Sequence, residues 1–135
     1  MSRNAINDEE SVEQPARLET EEAVMMAARA AADKKAADMI ILDLRDVAQF
    51  TEFFLICTAN NPRQVQAVTD AIEESLRQAG KRPTHIEGYA AAEWVLLDYG
   101  DFIAHVFSPA SRRFYDLERL WRDAKPVPLP DDAKP

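Results

Sequence analysis

At 135 residues and 47% hydrophobic side chains, the chain suits one domain with an ordinary buried core, and no disulfide or metal is needed to hold it together. Its formal charge of −8 divides into −5 over residues 1–22, −2 over 23–125 and −1 over 126–135. The folded part therefore has no broad cationic face, which argues against sequence-specific or backbone-driven nucleic-acid binding and favours a basic protein partner.

The lone cysteine, Cys57, excludes an internal disulfide and reads as a small buried hydrophobe. No apolar run reaches membrane-spanning length, and the acidic start lacks the cationic character of a signal or transit peptide, so a cytoplasmic protein without membrane contact is expected.

In chain order, residues 1–18 are polar and aperiodic and are expected to form a disordered acidic tail. A single domain follows over 19–125, with a proline-rich tail over 126–135. The domain opens on an alanine-rich helix with Thr20 as its cap and Glu21 and Glu22 in its first turn, where carboxylates favour the helix dipole. Two apolar strands are expected at 39–44 (MIILDL) and 53–57 (FFLIC). Asn61 as N-cap, Pro62 in the first turn and Gln64 reaching back start a second helix. Val65, Val68, Ile72 and Leu76 give it an apolar stripe, and Gly80 with Pro83 ends it.

A short strand near residues 85–87 precedes two apolar runs, 94–97 and 102–107, separated by Asp98, Tyr99, Gly100 and Asp101, which reads as a β-hairpin. Between residues 84 and 101 stand four carboxylates, Glu87, Glu93, Asp98 and Asp101, and no lysine or arginine, with Tyr89, Trp94 and Tyr99 interleaved. Ser108 and Pro109 then restart a helix whose apolar face carries Phe114, Leu117, Leu120 and Trp121, until Pro126, Pro128 and Pro130 leave a stiff exposed tail. The order α-β-β-α-β-β-β-α predicts an α/β fold with a mixed sheet of about five strands covered by helices.

With only three glycines, at 80, 88 and 100, the chain cannot form the glycine-rich loops that cradle phosphates. Asp43 with Asp46, or Asp98 with Asp101, are the pairs that a small magnesium-dependent nucleotidyltransferase would need, and this is the alternative function. The first pair lacks the alternate-residue spacing that puts two carboxylates on one face of a strand, and the second reads as turn-forming. His85 and His105 lack a metal-ligand spacing, and Ser75, Ser108 and Ser111 sit in helix or cap contexts, so no catalytic residue, cofactor or metal is assigned. Strand alternation puts Trp94 and Leu96 on one face and Val95 and Leu97 on the other, leaving open whether Trp94 meets a helix or a partner.

The ordered series of the alanine-rich helix, DMIILDL, FFLICTA, NPRQVQAVTDAIEESL, EGYAAAEWVLLDYGDFIAHVF and SRRFYDLERLWRDA resembles the Iojap-like ribosomal silencing factor family, over residues 19–127. That resemblance implies a nucleotidyltransferase-like fold without transfer activity. It also implies a non-enzymatic function, with frequent homodimers: binding to the large ribosomal subunit through a ribosomal protein on its intersubunit face, and steric exclusion of the small subunit when nutrients are scarce. Carried over by position, the family's hairpin motif falls on Trp94, Leu97, Asp98, Tyr99, Gly100 and Asp101, and its helical motif on Arg113, Tyr115, Leu117, Glu118, Leu120 and Trp121. The partner-binding residues expected are Trp94, Leu97, Asp98, Tyr99, Asp101, Arg113 and Tyr115. Glu52 stands before Phe53 where the family commonly has aspartate.

Overall fold

The structure, a computed structural model, describes residues 19–135; the acidic tail expected over 1–18 lies outside the described residues. Helix α1 (Thr20–Asp33) starts one residue earlier than expected, with Glu19 as its N-cap, its amide donating to the Glu22 carboxylate. Thr20, expected as the cap, instead donates its hydroxyl to Asp101 Oδ2 at 2.8 Å, tying the helix to the distant hairpin turn. Ala23, Ala27, Ala30 and Ala31 are buried, and these small side chains let α1 pack closely on α2 (Pro62–Gln78). Asn61 caps α2 by accepting from the Gln64 amide at 2.8 Å. The Gln64 side chain bonds the Asn60 amide and the carbonyls of Lys34 and Lys35, joining the start of α2 to the end of α1.

The strands β1 (Ala37–Asp43), β2 (Phe53–Thr58), β3 (His85–Glu87), β4 (Trp94–Asp98), β5 (Phe102–Phe107) and β6 (Lys125–Val127) form one mixed sheet ordered β3-β4-β5-β2-β1-β6. Among the described residues only the central β2–β5 pair is parallel, and the chain between these two strands runs through α2, β3 and β4; β4 and β5 are the expected hairpin. The mixed α/β class holds, with six strands among the described residues where about five were expected.

The sixth strand corrects the expectation of an exposed tail. Lys125, Pro126 and Val127 pair antiparallel with Asp43, Leu42 and Ile41 at the edge of β1, where a proline without an N–H is tolerated. A 3-10 turn at Asp131–Ala133 then packs on α1 with Ala133 buried.

β2 and β5 are buried along their whole length, because their alternate side chains feed two separate cores. Leu55, Cys57, Phe102, Ala104 and Val106 join Val95 and Leu97 beneath α1 and α2. Phe54, Ile56, Ile103 and Phe107 face the other way with Leu42 and Leu44. Burial of Phe53, Phe102 or Phe107, each at most 1% exposed, contributes about 1.5–3 kcal/mol apiece. The Cys57 thiol lies wholly in the first core, and burial pushes its pKa up to about 12.

Over the second face the chain supplies α3 (Pro109–Tyr115) and α4 (Leu117–Leu120). The expected single helix breaks at Asp116, which takes a left-handed conformation (φ 49°) that aspartate tolerates better than most residues. Beyond the break Leu117, Trp121 and Ala124 turn down onto the sheet.

Candidate functional site

The two faces of the sheet are covered unequally. α1 and α2 lie across one; on the other, the short C-terminal helical segment packs over β5, β2 and β1. Antiparallel register aligns the residues beyond that cover. Trp94 lies opposite Phe107, Leu96 opposite His105 and Glu87, and Asp98 opposite Ile103 and His85. Facing partners share a side of the sheet, so Trp94, Leu96, Asp98, His85 and Glu87 form one half-open surface.

Trp94 is its centre. Half-buried, it stacks on Phe107 at 5.1 Å between ring centres and meets the Tyr115 ring at 4.5 Å. Its indole N–H donates to His105 Nδ1 at 3.1 Å. From there aromatic contacts continue through His105 to Phe54 at 4.5 Å, Phe54 to Trp121 at 5.9 Å and Trp121 to the exposed Phe50 at 5.7 Å. Phe114, 80% exposed, leans edge-on against Tyr115, and Leu120 is 71% exposed on α4. So much accessible aromatic and aliphatic surface is characteristic of a contact face.

A close backbone approach and a side-chain clamp hold this centre. Gly88, at φ +85°, lies so close to the next strand that an added Cβ would stand 2.1 Å from the Trp94 carbonyl oxygen. Arg112, its side chain only 12% exposed, donates from Nε and Nη2 to Glu118 Oε2 at 3.0 and 2.7 Å, and from Nη1 to Thr58 Oγ1 at 2.8 Å and to the Asp38 carbonyl. That clamp fixes α3 to α4 and to the ends of β1 and β2, so Tyr115 stays beside Trp94.

Along the rim, His85 Nε2 lies 3.3 Å from Glu87 and 3.6 Å from Asp98. Asp98 Oδ1 also accepts the Gly100 amide at 2.8 Å, which shapes the hairpin turn. Charges at such a rim act mainly on encounter rate and orientation, while a desolvated aromatic centre supplies affinity.

Of the residues expected from sequence, the structure brings Trp94, Asp98 and Tyr115 together on this surface. Arg113 is exposed on α3. Leu97 is fully buried on the helix side, as alternation with Leu96 requires. Tyr99 is also buried there, stacked on Phe102 at 4.8 Å, and burial raises its phenol pKa. Asp101 is held by Thr20 and, at 3.2 Å, by Lys81. These three therefore support the hairpin from behind and offer the open face nothing.

Sequence reasoning placed Leu96 on the side of Trp94 without naming it a contact, and missed Phe50 on the face and His105 beneath it as the hydrogen-bond partner of Trp94. The signal for His105 was countable: a turn centred on Gly100 and Asp101, which pairs Tyr99 with Phe102 and Asp98 with Ile103, also pairs Leu96 with His105, one diagonal step from Trp94.

The carboxylate pairs of the alternative reading are each engaged separately. Asp43 is bound by the Arg45 guanidinium at 2.7 and 3.0 Å, which holds its pKa below the usual carboxylate value. Asp98 and Asp101 turn to different partners. Among the described residues no three His, Cys, Asp or Glu side chains gather where a metal ion would sit.

Residues 17–135 match the family model described as "Ribosomal silencing factor during starvation". The chain is similar to the protein named ribosomal silencing factor RsfS in Halalkalibacterium halodurans, 38% identical over 83% of this chain and 96% of that one. Its likeness to the protein of the same name in Bacillus subtilis is 41% identity over 78% and 87%. A crystal structure of a Chromobacterium violaceum protein superposes with a TM-score of 0.76 at 36% identity, covering 87% of this chain and 98% of that one.

Proposed function

The chain belongs to the ribosomal silencing factor family, and from that premise we propose that it silences by occupancy, binding the large ribosomal subunit in the cytoplasm and blocking the small subunit when nutrients are scarce. The contact is made with a basic ribosomal protein on the intersubunit face. Trp94 is the anchor, Leu96 and Tyr115 extend the apolar centre, and Glu87 and Asp98 orient a cationic partner from the rim. No covalent step is involved; the bound factor's volume overlaps the path of the joining subunit.

One observation carries this reading: a half-open aromatic surface with an acidic rim lies on the side of the sheet that α1 and α2 leave uncovered. Aromatic groups set in such a centre are the usual affinity hot spots of protein interfaces.

Cosedimentation with isolated large subunits tests it. Wild type is expected in the subunit fraction, and Trp94→Ala, shown by circular dichroism to be folded, is expected to bind about 30-fold or more weakly. Adding small subunits then measures joining, which wild type should suppress and the variant should not. Undiminished binding by folded Trp94→Ala removes Trp94 from the contact, and joining unaffected by bound wild type refutes steric blocking.

A further inference from the structure

The Trp94 side chain is oriented by a residue that the partner would never touch. His105 is 3% exposed, below the surface that Trp94 presents, on the neighbouring strand of the hairpin. An indole nitrogen only donates, so the 3.1 Å contact from Trp94 Nε1 requires His105 Nδ1 to be the accepting, unprotonated nitrogen. The ring is therefore neutral, with its proton on Nε2, an atom that is itself buried without a hydrogen-bond partner among the described residues.

The surroundings keep it so. Phe54 meets the imidazole edge-on at 4.5 Å, Phe107 lies parallel to it at 6.0 Å, and burial pushes its pKa down to about 3. A buried polar ring with one nitrogen unsatisfied is costly in an otherwise apolar layer. Its other nitrogen fixes the one polar atom of the half-buried Trp94.

We propose that His105 is a positioning residue for docking: by accepting the indole N–H it sets the orientation of Trp94 and withdraws its only polar group, so the partner meets a purely apolar indole surface. This deepens the reading of Trp94 as the anchor and rests on it. The partner group facing Trp94 is accordingly aliphatic or a cation over the ring, since a hydrogen-bond acceptor placed there would find the N–H already engaged.

Two substitutions separate positioning from packing. His105→Phe keeps the aromatic volume and deletes the acceptor, while His105→Asn keeps an acceptor oxygen near the Nδ1 position and loses volume beside Phe54. Thermal unfolding should rank His105→Phe at least as stable as His105→Asn, because Asn leaves space in the layer. Large-subunit affinity should rank them in reverse, with His105→Phe about tenfold weaker than wild type and His105→Asn within about threefold.

In 15N-labelled protein the Trp94 indole N–H should exchange slowly in wild type and His105→Asn and quickly in His105→Phe. Affinity that simply follows stability, or an unaltered indole signal in His105→Phe, overturns the proposal. If His105→Phe does not fold, wild type alone decides: the Trp94 indole N–H must exchange more slowly than that of Trp121, and equal exchange overturns the proposal. Trp94→Ala run alongside distinguishes the failures. Full binding by that variant removes the docking reading and this inference with it, whereas weak binding by Trp94→Ala and full binding by His105→Phe removes the inference alone.

Discussion

The two sides of this sheet are built from the same strands and do different work. On the helix side, alanines of α1 and the aliphatic stripe of α2 close over Leu55, Val95, Leu97 and Val106, all fully buried. On the other side, two short helices broken at Asp116 leave Trp94 and Leu96 half-covered and Phe50, Phe114 and Leu120 exposed. Stability is concentrated where cover is complete, and recognition becomes available where it is not. Because strand residues alternate between faces, one substitution can address one property with little effect on the other.

The largest effect expected of this comparison comes from the closed side. Phe102→Ala, fully buried beneath the helices, should cost about 3–5 kcal/mol in urea or thermal unfolding. Gly88→Ala comes next, because its methyl would meet the Trp94 carbonyl from a left-handed backbone position. A loss of about 2–3 kcal/mol is expected, with weaker large-subunit binding from the displaced β4. Arg112→Ala should cost about 1.5 kcal/mol and, in hydrogen exchange, loosen α3 and α4 while α1 and α2 stay protected.

Tyr115→Ala inverts the pattern: stability should change by less than about 1 kcal/mol while large-subunit affinity falls about tenfold. If Tyr115→Ala destabilised as much as Phe102→Ala, the division of labour between the faces would be wrong. The smallest effect concerns Asp43. Its folded pKa lies below the usual 3.8, chiefly through the hydrogen bond from Arg45. The stability it adds is therefore present above that pH and fades as pH falls through the lower folded value. Asp43→Asn should weaken the fold slightly at neutral pH and make no difference in strong acid, as measured by denaturation at the two pH values.

Much of the fold was legible because local signals were unopposed. Asn61, Pro62 and the stripe from Val65 to Leu76 specify α2 without reference to the rest of the chain, and Gly100 between two apolar runs specifies the hairpin. Misreadings arose where a distant residue competed for a local role. Thr20 looks like a cap, but its hydroxyl is taken by Asp101, far along the chain. Pro126 and Pro128 look like the end of structure, yet β1 offers an edge at which a proline costs no ladder hydrogen bond. The site was half legible: the motif residues Trp94, Asp98 and Tyr115 share a face, while Leu97, Tyr99 and Asp101 support it from behind.

Sequence by itself determined the mixed α/β class, the hairpin around Gly100, the relative facing of Trp94 and Leu97, and the likeness to the silencing factors. Tertiary structure alone decided which side of the sheet was left half-open. Alternation fixes that neighbours point oppositely, but a strand's two faces are equivalent until helices dock. Here α1 and α2 pack on the side of Val95 and Leu97, so Trp94 turns to the other, with its indole N–H held by His105.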